Sequence, residues 1–534
     1  MGIFGRIRRT IGQYTLRFSG LRLEVPERGE WITAKGKLKV CNRGYEDIEN
    51  ATFYFGDMEC RAHVERVRDT RTGCVCDIRL ALPKSAIYSL PIHNTVEVEL
   101  IDRYGTVNRE SIMFDKRIPV YLAKRTGYYR DETAGLVAFF RQNAGKGTTF
   151  TVRHENITDS KNSQIQLVLA WLASKIAVWI NPILLFEKNG RHYEESARAV
   201  FEKMLDFGYK KAFFVLSDDV RRQSKIDNRY KGNILSQHSF KHYLYFFRCR
   251  KFIGTESCAH ALELRCQNLL VQRKLKSRGN TFVFLQHGVM YMVSLDSPQR
   301  TSFQRKAQKG VPYVVVSSEK EADHFIDLGG FERDELIVCG LPKFDRSYLN
   351  EGADKILIMP TWRIWEFNEM RHNPQETKYV KMIERMVQAM PQHLQEKVVV
   401  ARHPLFVEST FLSSFTQEIL SYDEMLRDVS VLITDYSSIA YDSFYRGSNV
   451  IFYWEEKDEC MSHYGENTHL MLTEESAFGP VCFNGCDLHD AVDSLYGKPQ
   501  DKLYLDRYRQ IVEFHDGENT IRLIEALRAK KIID

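Results

Sequence analysis

Four short apolar runs in this chain end in residues able to grip an anion or move a proton. Val429 to Thr434 stops at Asp435-Tyr436-Ser437-Ser438, and a helical pattern starts at Ile439. Thr281 to Leu285 stops at Gln286-His287-Gly288, Lys355 to Pro360 at Thr361-Trp362-Arg363, and Val398 to Ala401 at Arg402-His403-Pro404. Val431, Leu432 and Ile433 read as a buried parallel strand. Ser437 or Ser438 reads as the cap of the next helix, whose first N–H groups then face whatever lies above the strand. Those N–H groups and the positive end of the helix dipole favour an anion. In a doubly wound sheet ligands sit beyond the carboxyl ends of the strands, so the four tips can share one cleft. His287, Arg363, Arg402, His403 and the Ser437/Ser438 helix start would together hold a diphosphate and offer it a base. Each element alone is ordinary, since a His-Gly pair is a common turn and a strand-end Arg a common surface charge. Their joint occurrence at strand ends argues for function, because functional residues concentrate on such loops.

The elements that must position these tips follow a βα rhythm. Strands are expected near Ile183, Phe213, Phe252, Phe282, Val314 and Ile337, alternating with helical patterns such as Ser196 to Phe207 and Glu319 to Leu328. A polar stretch, Asn350 to Asp354, then separates a second series, with strands at Ile356, Val398, Val431 and Ile451 and helices near Tyr379 to Met390, Ile439 to Arg446 and Asn519 to Arg528. Two doubly wound sheets with a cleft between them are the expected outcome. Neither a GxGxxG nor a Walker motif occurs, so nicotinamide and ATP chemistry are poorly supported.

The ordered motifs HG, GLPKFD (Gly340 to Asp345), PTWR (Pro360 to Arg363), RHP (Arg402 to Pro404), ITDYSS (Ile433 to Ser438) and FYRGSNVIFY (Phe444 to Tyr453) resemble the CDP-glycerol glycerophosphotransferase family. Its members prime or polymerise teichoic acids and related poly(polyol phosphate) chains. The resemblance runs from about Pro182 to the C-terminus. It implies an α/β fold with a GT-B-like pair of Rossmann-type domains; ahead of them, the alternation of Lys35 to Val40 and of Thr95 to Asp102 reads as a small antiparallel β-sandwich-like domain. It also implies that His287 is the catalytic base and that Arg402, His403, Asp435, Ser437 and Ser438 hold the donor diphosphate. Arg363, from the reading of the strand ends, joins that set, and Gly288, Lys343, Thr361 and Glu187 are further candidates. The chain departs from the family in two places. HG is usually continued by Thr-Pro, an apolar residue and Lys, whereas Val289-Met290-Tyr291-Met292 stands here. Glu194-Glu195-Ser196 likewise replaces an Asp-Asn-Pro. Both changes lie where an acceptor would approach.

The activity so implied is transfer of a glycerol-phosphate or ribitol-phosphate unit from CDP-glycerol or CDP-ribitol to a hydroxyl of a lipid-linked polyol-phosphate or glycan acceptor, with release of CMP. A histidine suits the base, its ordinary pKa of about 6.5 lying near working pH. No cofactor is called for, and no paired-carboxylate metal motif is evident. Two rival readings share the residues: a GT-B glycosyltransferase acting on a nucleotide sugar, and a non-catalytic membrane-surface protein that binds polymer.

Composition bounds these readings. The 534 residues suffice for about three domains. A net charge of +5 from 75 basic and 70 acidic residues is too balanced for a general nucleic-acid binder. Eleven scattered cysteines without a CxxC pair or a secretory signal suggest reduced thiols in a cytoplasmic protein. Leu167 to Ile180, the most apolar stretch, is too short for a membrane span of roughly 20 residues and contains Lys175. It is expected to be a packed amphipathic helix. At the N-terminus Ile3, Ile7, Ile11, Tyr14 and Phe18 recur at helical spacing among Arg6, Arg8, Arg9 and Arg17, the pattern of a helix lying on an anionic membrane surface. Peripheral attachment to the inner face of the cell membrane is the corresponding expectation. The domains are thus expected at 1–20 (basic amphipathic segment), 21–124 (β-sandwich-like), 125–162 (linker), 163–350 (acceptor-side Rossmann-like) and 351–534 (CDP-donor-binding Rossmann-like). In the β-rich part, Arg61, Arg66, Arg68 and Arg71 form either a solvated strand face or a grip for an anionic polymer.

Overall fold

Apolar runs buried on both faces form parallel sheets, and both series of strands do so here. The computed structural model describes residues 15–24, 30–41, 48–71, 73–101, 107–114, 128–142, 147–308, 310–366, 369, 373–402, 412–418 and 421–534. It divides into two compact units, residues 1–165 with 266–272, and residues 166–265 with 273–534.

The larger unit holds two all-parallel sheets. The first has the strand order Ile234–Ser236, Ala212–Leu216, Ile183–Phe186, Lys251–Gly254, Thr281–Phe284, Val311–Val316, Leu336–Val338. In the second the order is Thr416–Glu418, Val398–Arg402, Lys355–Ile358, Val429–Thr434, Asn449–Tyr453, Val481–Cys482. Each sheet grows outward in both directions from its first strands, as in dinucleotide-binding folds, so the order reverses beside Ile183–Phe186 and beside Lys355–Ile358. Three edge strands, Ile234–Ser236, Thr416–Glu418 and Val481–Cys482, escape the periodicity because each is only two or three residues long.

The two lobes share one apolar core. Val289, Tyr291, Met292 and Val293 from the first lobe pack in the same cluster as Tyr436, Ala440, Tyr441 and Trp454 from the second. The Tyr441 hydroxyl donates to the Tyr291 carbonyl at 2.6 Å, and the Met471 N–H to the Met292 carbonyl at 2.9 Å. The expected boundary of the second lobe is corrected at its far end, where Asn519–Ala529 returns to the first lobe. Asp345 of GLPKFD accepts from the N–H groups of Asn519 (2.9 Å) and Thr520 (2.7 Å), serving as the cap that the helix lacks locally. Gly340 has φ +79°, and a Cβ there would meet Asn519 Oδ1 at 2.3 Å, so only glycine fits.

The smaller unit is one continuous sheet, in place of the two sheets of a sandwich. Its order is Met113–Phe114, Thr15–Glu24, Trp31–Cys41, Gly73–Pro83, Met58–Thr70, Thr52–Phe55, His93–Ile101, Thr148–His154, Leu136–Gln142, Tyr128–Asp131, with Val107–Ser111 also on His93–Ile101. All pairings are antiparallel except that of Thr15–Glu24 with Met113–Phe114. Trp31–Cys41 alternates as expected, with Ile32, Ala34, Leu38 and Val40 buried. The supposed linker, 125–162, instead supplies three strands, and its Phe140 and Phe150 meet Phe55 in the core at ring distances of 6.0 and 5.0 Å. Phe18 is fully buried in the strand Thr15–Glu24, so the expected helical stripe does not reach it. Ile3, Ile7, Ile11 and Tyr14 lie outside the described residues. Arg66 pairs with Asp69, and the guanidinium of Arg61 sits 4.3 Å from the ring centre of Trp31.

Burial has a pH consequence in the larger unit. The buried His242, His260 and His324 are each pushed by desolvation from 6.5 to about 4. Both ring nitrogens of His324 lack a hydrogen bond, and Arg300 and His469 push it further down while Asp296 pulls it up. Its ring packs against Tyr291 and Phe325. Below pH 6.5 the unfolded chain takes up protons that the folded chain refuses, so this contribution is complete above 6.5 and is lost as pH falls towards 4. His324→Phe should therefore gain thermal stability relative to the parent as pH drops from 6.5 to 4, with no such trend above pH 7. Parallel melting curves with pH would overturn this reading of His324.

Candidate functional site

The tips at His287, Thr361 and Ser438 meet, and the contact between them is tight. Gln286, before His287, has φ 57°, a left-handed conformation unusual for glutamine, and its amide donates to the Val315 carbonyl at 2.6 Å. Backbone strain of this kind is kept where surrounding structure enforces it, commonly at functional sites. The turn aims His287 into the cleft, where its ring is exposed, while Gly288 is buried. A Cβ on Gly288 would stand 2.7 Å from Ser438 Oγ, so the HG glycine lets the second-lobe helix start come close. The segment after HG is buried, which explains its apolar character: Val289, Tyr291 and Met292 pack in the core that the lobes share, and Met290 and Met292 also line a cavity beside His287. The buried Glu321 carboxylate holds this segment by accepting from the Met290 N–H at 2.7 Å.

On the second lobe, Ser437 and Ser438 lie where the Val429–Thr434 strand gives way to Ile439–Arg446. The Ser437 hydroxyl accepts from the Ile439 N–H at 3.4 Å, and the Ser438 side chain makes no cap bond. The Ser438 hydroxyl is left facing Gly288.

Beneath these serines lies a buried polar hub. Asp435, fully buried, accepts from the N–H and hydroxyl of Thr361 (both 2.7 Å), from Arg363 Nη1 (2.7 Å) and from the Tyr436 N–H. Arg363 is 1% exposed, is approached by Glu456 at 3.6 Å and donates to the Thr361 carbonyl at 2.8 Å. Thr361, Arg363 and Asp435 are therefore brought together, with Arg363 and Asp435 neutralising each other below the cleft floor. This corrects the expectation that Arg363 faces a diphosphate.

Lys343 ties the lobes from the other side. Its ammonium donates to the His287 carbonyl at 2.6 Å and pairs with Asp442 of the Ile439–Arg446 helix. Glu187 is also corrected from a ligand to a support. It is fully buried and accepts from the N–H groups of Glu194 (3.1 Å), Glu195 (3.0 Å) and Arg198 (3.1 Å), capping the helix Ser196–Asp206. Arg402 ends the strand Val398–Arg402, next to Lys355–Ile358. His403 lies outside the described residues.

His287 and Ser438 line two cavities. One, of about 260 Å³, has Lys188, His192, Glu195, Glu256, Lys343 and Ser437 in its wall beside apolar residues such as Met359 and Leu426. The other, of about 220 Å³, has Met290, Met292, Gln299, Arg300, Phe303 and Tyr464. Surrounding protein and then the cations Lys343, Arg300 and Lys188 hold the His287 pKa below 6.5, although the Thr255 carbonyl acts the other way. The ring is therefore neutral near pH 7 and able to accept a proton. Glu195 is pushed up by burial and then by neighbouring Glu187. Arg300 and Tyr464 were not evident from the sequence. Arg300 lies in the short turn Pro298–Phe303 and Tyr464 ends the helix Lys457–Tyr464, neither carries a spacing signal, and only the folding of the chain brings them to His287.

Two parallel sheets carry these motifs at their strand ends, where doubly wound folds bind their ligands. Residues 170–528 match the CDP-Glycerol:Poly(glycerophosphate) glycerophosphotransferase family, and the chain belongs to it. The chain is 23% identical over 374 residues to the minor teichoic acid biosynthesis protein GgaB of Bacillus subtilis (strain 168), covering 65% of this chain and 39% of that protein. With the teichoic acid glycerol-phosphate primase of the same organism it shares 21% identity over 240 residues, covering 42% of this chain and 60% of the primase. It thus spans less than two thirds of the length of either relative. The wall teichoic acid polymerase TagF has the same fold over 70% of this chain and 95% of its own, with TM-score 0.51 and 14% identity. A TagF variant soaked with CDPG gives the same TM-score, identity and coverage.

Removing one partner from the hub should be costly. Asp435→Asn leaves the buried Arg363 guanidinium with only the more distant Glu456, at 3.6 Å, as its anion, where losing the partner of a buried ion pair costs about 3–5 kcal/mol. Urea unfolding should show that loss, and Arg363→Met combined with Asp435→Leu should recover part of it. A wild-type midpoint for Asp435→Asn would show that the hub does not hold the two loops.

Proposed function

We propose that the chain transfers a polyol-phosphate unit from CDP-glycerol or CDP-ribitol to an acceptor hydroxyl and releases CMP. The observation that carries this is the meeting of a neutral, cleft-facing His287 with the uncapped Ser438 helix start across Gly288. It places a base within reach of an anion site. In the proposed reaction His287 takes the acceptor hydroxyl proton as that oxygen attacks the phosphorus bearing the polyol. The bond from this phosphorus to the CMP oxygen breaks, and CMP leaves with the electron pair. The amides and hydroxyls at Ser437 and Ser438 meet the charge on the transferring phosphate, as phosphoryl transfer depends on positioning and electrostatics. Arg402 and His403 are assigned to the donor phosphates by their match to the RHP motif. Thr361, Arg363 and Asp435 hold the loop beneath, while Lys343 fixes the His287 backbone.

The test is a donor panel of CDP-glycerol, CDP-ribitol and UDP-sugars followed by nucleotide analysis. CMP should appear with a CDP-polyol, and His287→Ala should lower turnover roughly 10²- to 10⁴-fold. UMP or UDP release without CMP would establish a nucleotide-sugar glycosyltransferase instead, and unchanged turnover in His287→Ala would remove the base assignment.

We also propose that the protein works at a membrane surface on a lipid-linked acceptor. Among the described residues no helix is long and apolar enough to cross a membrane. The helix Lys161–Ile176 and the turn after it expose Leu169, Leu172, Ile176, Val178 and Trp179, by 50 to 75%, in place of the packed face expected for them. From Lys161 to Asn181 there is no acidic residue. Arg248 pins the turn, donating to the carbonyls of Val178 (2.6 Å) and Ile180 (2.9 Å). Such a face suits an interface with anionic lipid. Leu172→Glu combined with Trp179→Glu should abolish sedimentation with anionic vesicles and sparing of activity should be seen on a short soluble acceptor. Undiminished sedimentation would move the attachment to another surface.

A further inference from the structure

Lys343 and Arg446, which line the cleft, are paired with Asp442 and Asp423, and Arg363 below its floor is paired with Asp435. Arg300 is different. It is half-buried, and among the described residues its guanidinium makes neither a hydrogen bond nor an ion pair. It lines the 220 Å³ cavity with His287, Ser438 and Tyr464, against a wall of Met290 and Phe303. A guanidinium withdrawn from water without a counter-ion is costly, and an apolar wall strengthens its attraction for any anion that arrives.

The turn that carries Arg300 is held by both lobes. Within it the Arg300 N–H donates to the Ser297 carbonyl at 2.9 Å. The Ser297 hydroxyl donates to the Tyr464 carbonyl at 3.1 Å, and the Gln299 amide to the His463 carbonyl at 2.9 Å. Pro298 packs so closely on Gly465 that a Cβ on that glycine would lie 2.7 Å from the proline ring. The backbone at Arg300 is thus fixed in place, and its side chain shares one cavity with Ser438. That combination fits the several oxygens of a phosphate or diphosphate better than a single carboxylate.

We propose that Arg300 is a phosphate ligand: its guanidinium and the Ser438 helix start grip the phosphate oxygens beside His287 from opposite lobes. The identity of the donor rests on the transferase reading above, whereas the anion site stands on the cavity itself. Arg300 then joins the two lobes through the substrate, and it offsets charge that the Ser437/Ser438 amides alone would carry.

Two measurements test this separately. In the first, inorganic pyrophosphate is added to the unliganded protein and the melting temperature is followed. A rise is expected for the parent, and Arg300→Ala should lose most of it while melting no lower than the parent without the anion. The second takes whichever CDP-polyol the parent turns over. Arg300→Ala should lower kcat/KM at least about 100-fold, Arg300→Lys should recover only part of this because the fork is gone, and added guanidinium ion should partly rescue the alanine variant. Arg300→Gln replaces the alanine variant in both measurements if that variant does not fold. A pyrophosphate shift in the parent that Arg300→Ala abolishes supports the site even if no CDP-polyol is turned over, in which case only the transferase reading falls. An absent shift in the parent, an equal shift in the variant, or parental kcat/KM in Arg300→Ala overturns the proposal.

Discussion

The cleft floor depends on one ion pair withdrawn from water. Arg363 and Asp435 lie at the point where the strand order of the second sheet reverses, and each loop on that floor is anchored to one of them. Thr361 and Tyr436 donate to the carboxylate, while Trp454 donates its indole N–H to the Asp435 carbonyl at 3.2 Å. A buried pair of this kind contributes little net stability, because the loss of hydration offsets the attraction. What it supplies is position. With both oxygens of Asp435 engaged, the chain after it is held to a course that leaves the Ser438 hydroxyl without a cap bond beside Gly288.

The first lobe uses the same device with different residues. Glu321, fully buried, accepts from Met290, from the Ser317 N–H and from the Ser317 hydroxyl, and so fixes the strap that follows the histidine. Glu187 does likewise for the helix Ser196–Asp206. Each carboxylate sits just past a strand end and collects backbone donors. His287, Arg300 and Ser438 line the cleft beside these supports.

Much of this was legible in the sequence, for identifiable reasons. Strands buried on both faces are continuous apolar runs, so both parallel sheets and the strand tips at His287, Thr361 and Ser437 could be read from pattern alone. The role of a charged residue at a tip could not. Arg363 and Arg402 look alike in sequence, and only burial shows that Arg363 is spent on Asp435. The strands Tyr128–Asp131 and Leu136–Gln142 were hidden by their polar, glycine-bearing surroundings, because residues in a curled sheet are apolar only where they meet its core. Arg300 carried no motif at all. Its place is set by contacts with His463, Tyr464 and Gly465, more than 160 positions away.

The return of Asn519–Ala529 to the first lobe bears on how the protein is made. Leu523, Ile524 and Leu527 are fully buried, and the capping residue Asp345 is 174 positions from Asn519. During synthesis the groove at Gly340 and Asp345 must therefore stay uncovered until the whole second lobe has been translated. The first lobe cannot complete its core as an independent folding unit, and closing so distant a contact is slow. The nascent chain is thus expected to hold an exposed apolar groove for most of the translation time, which makes it a client for chaperones until the last helix docks.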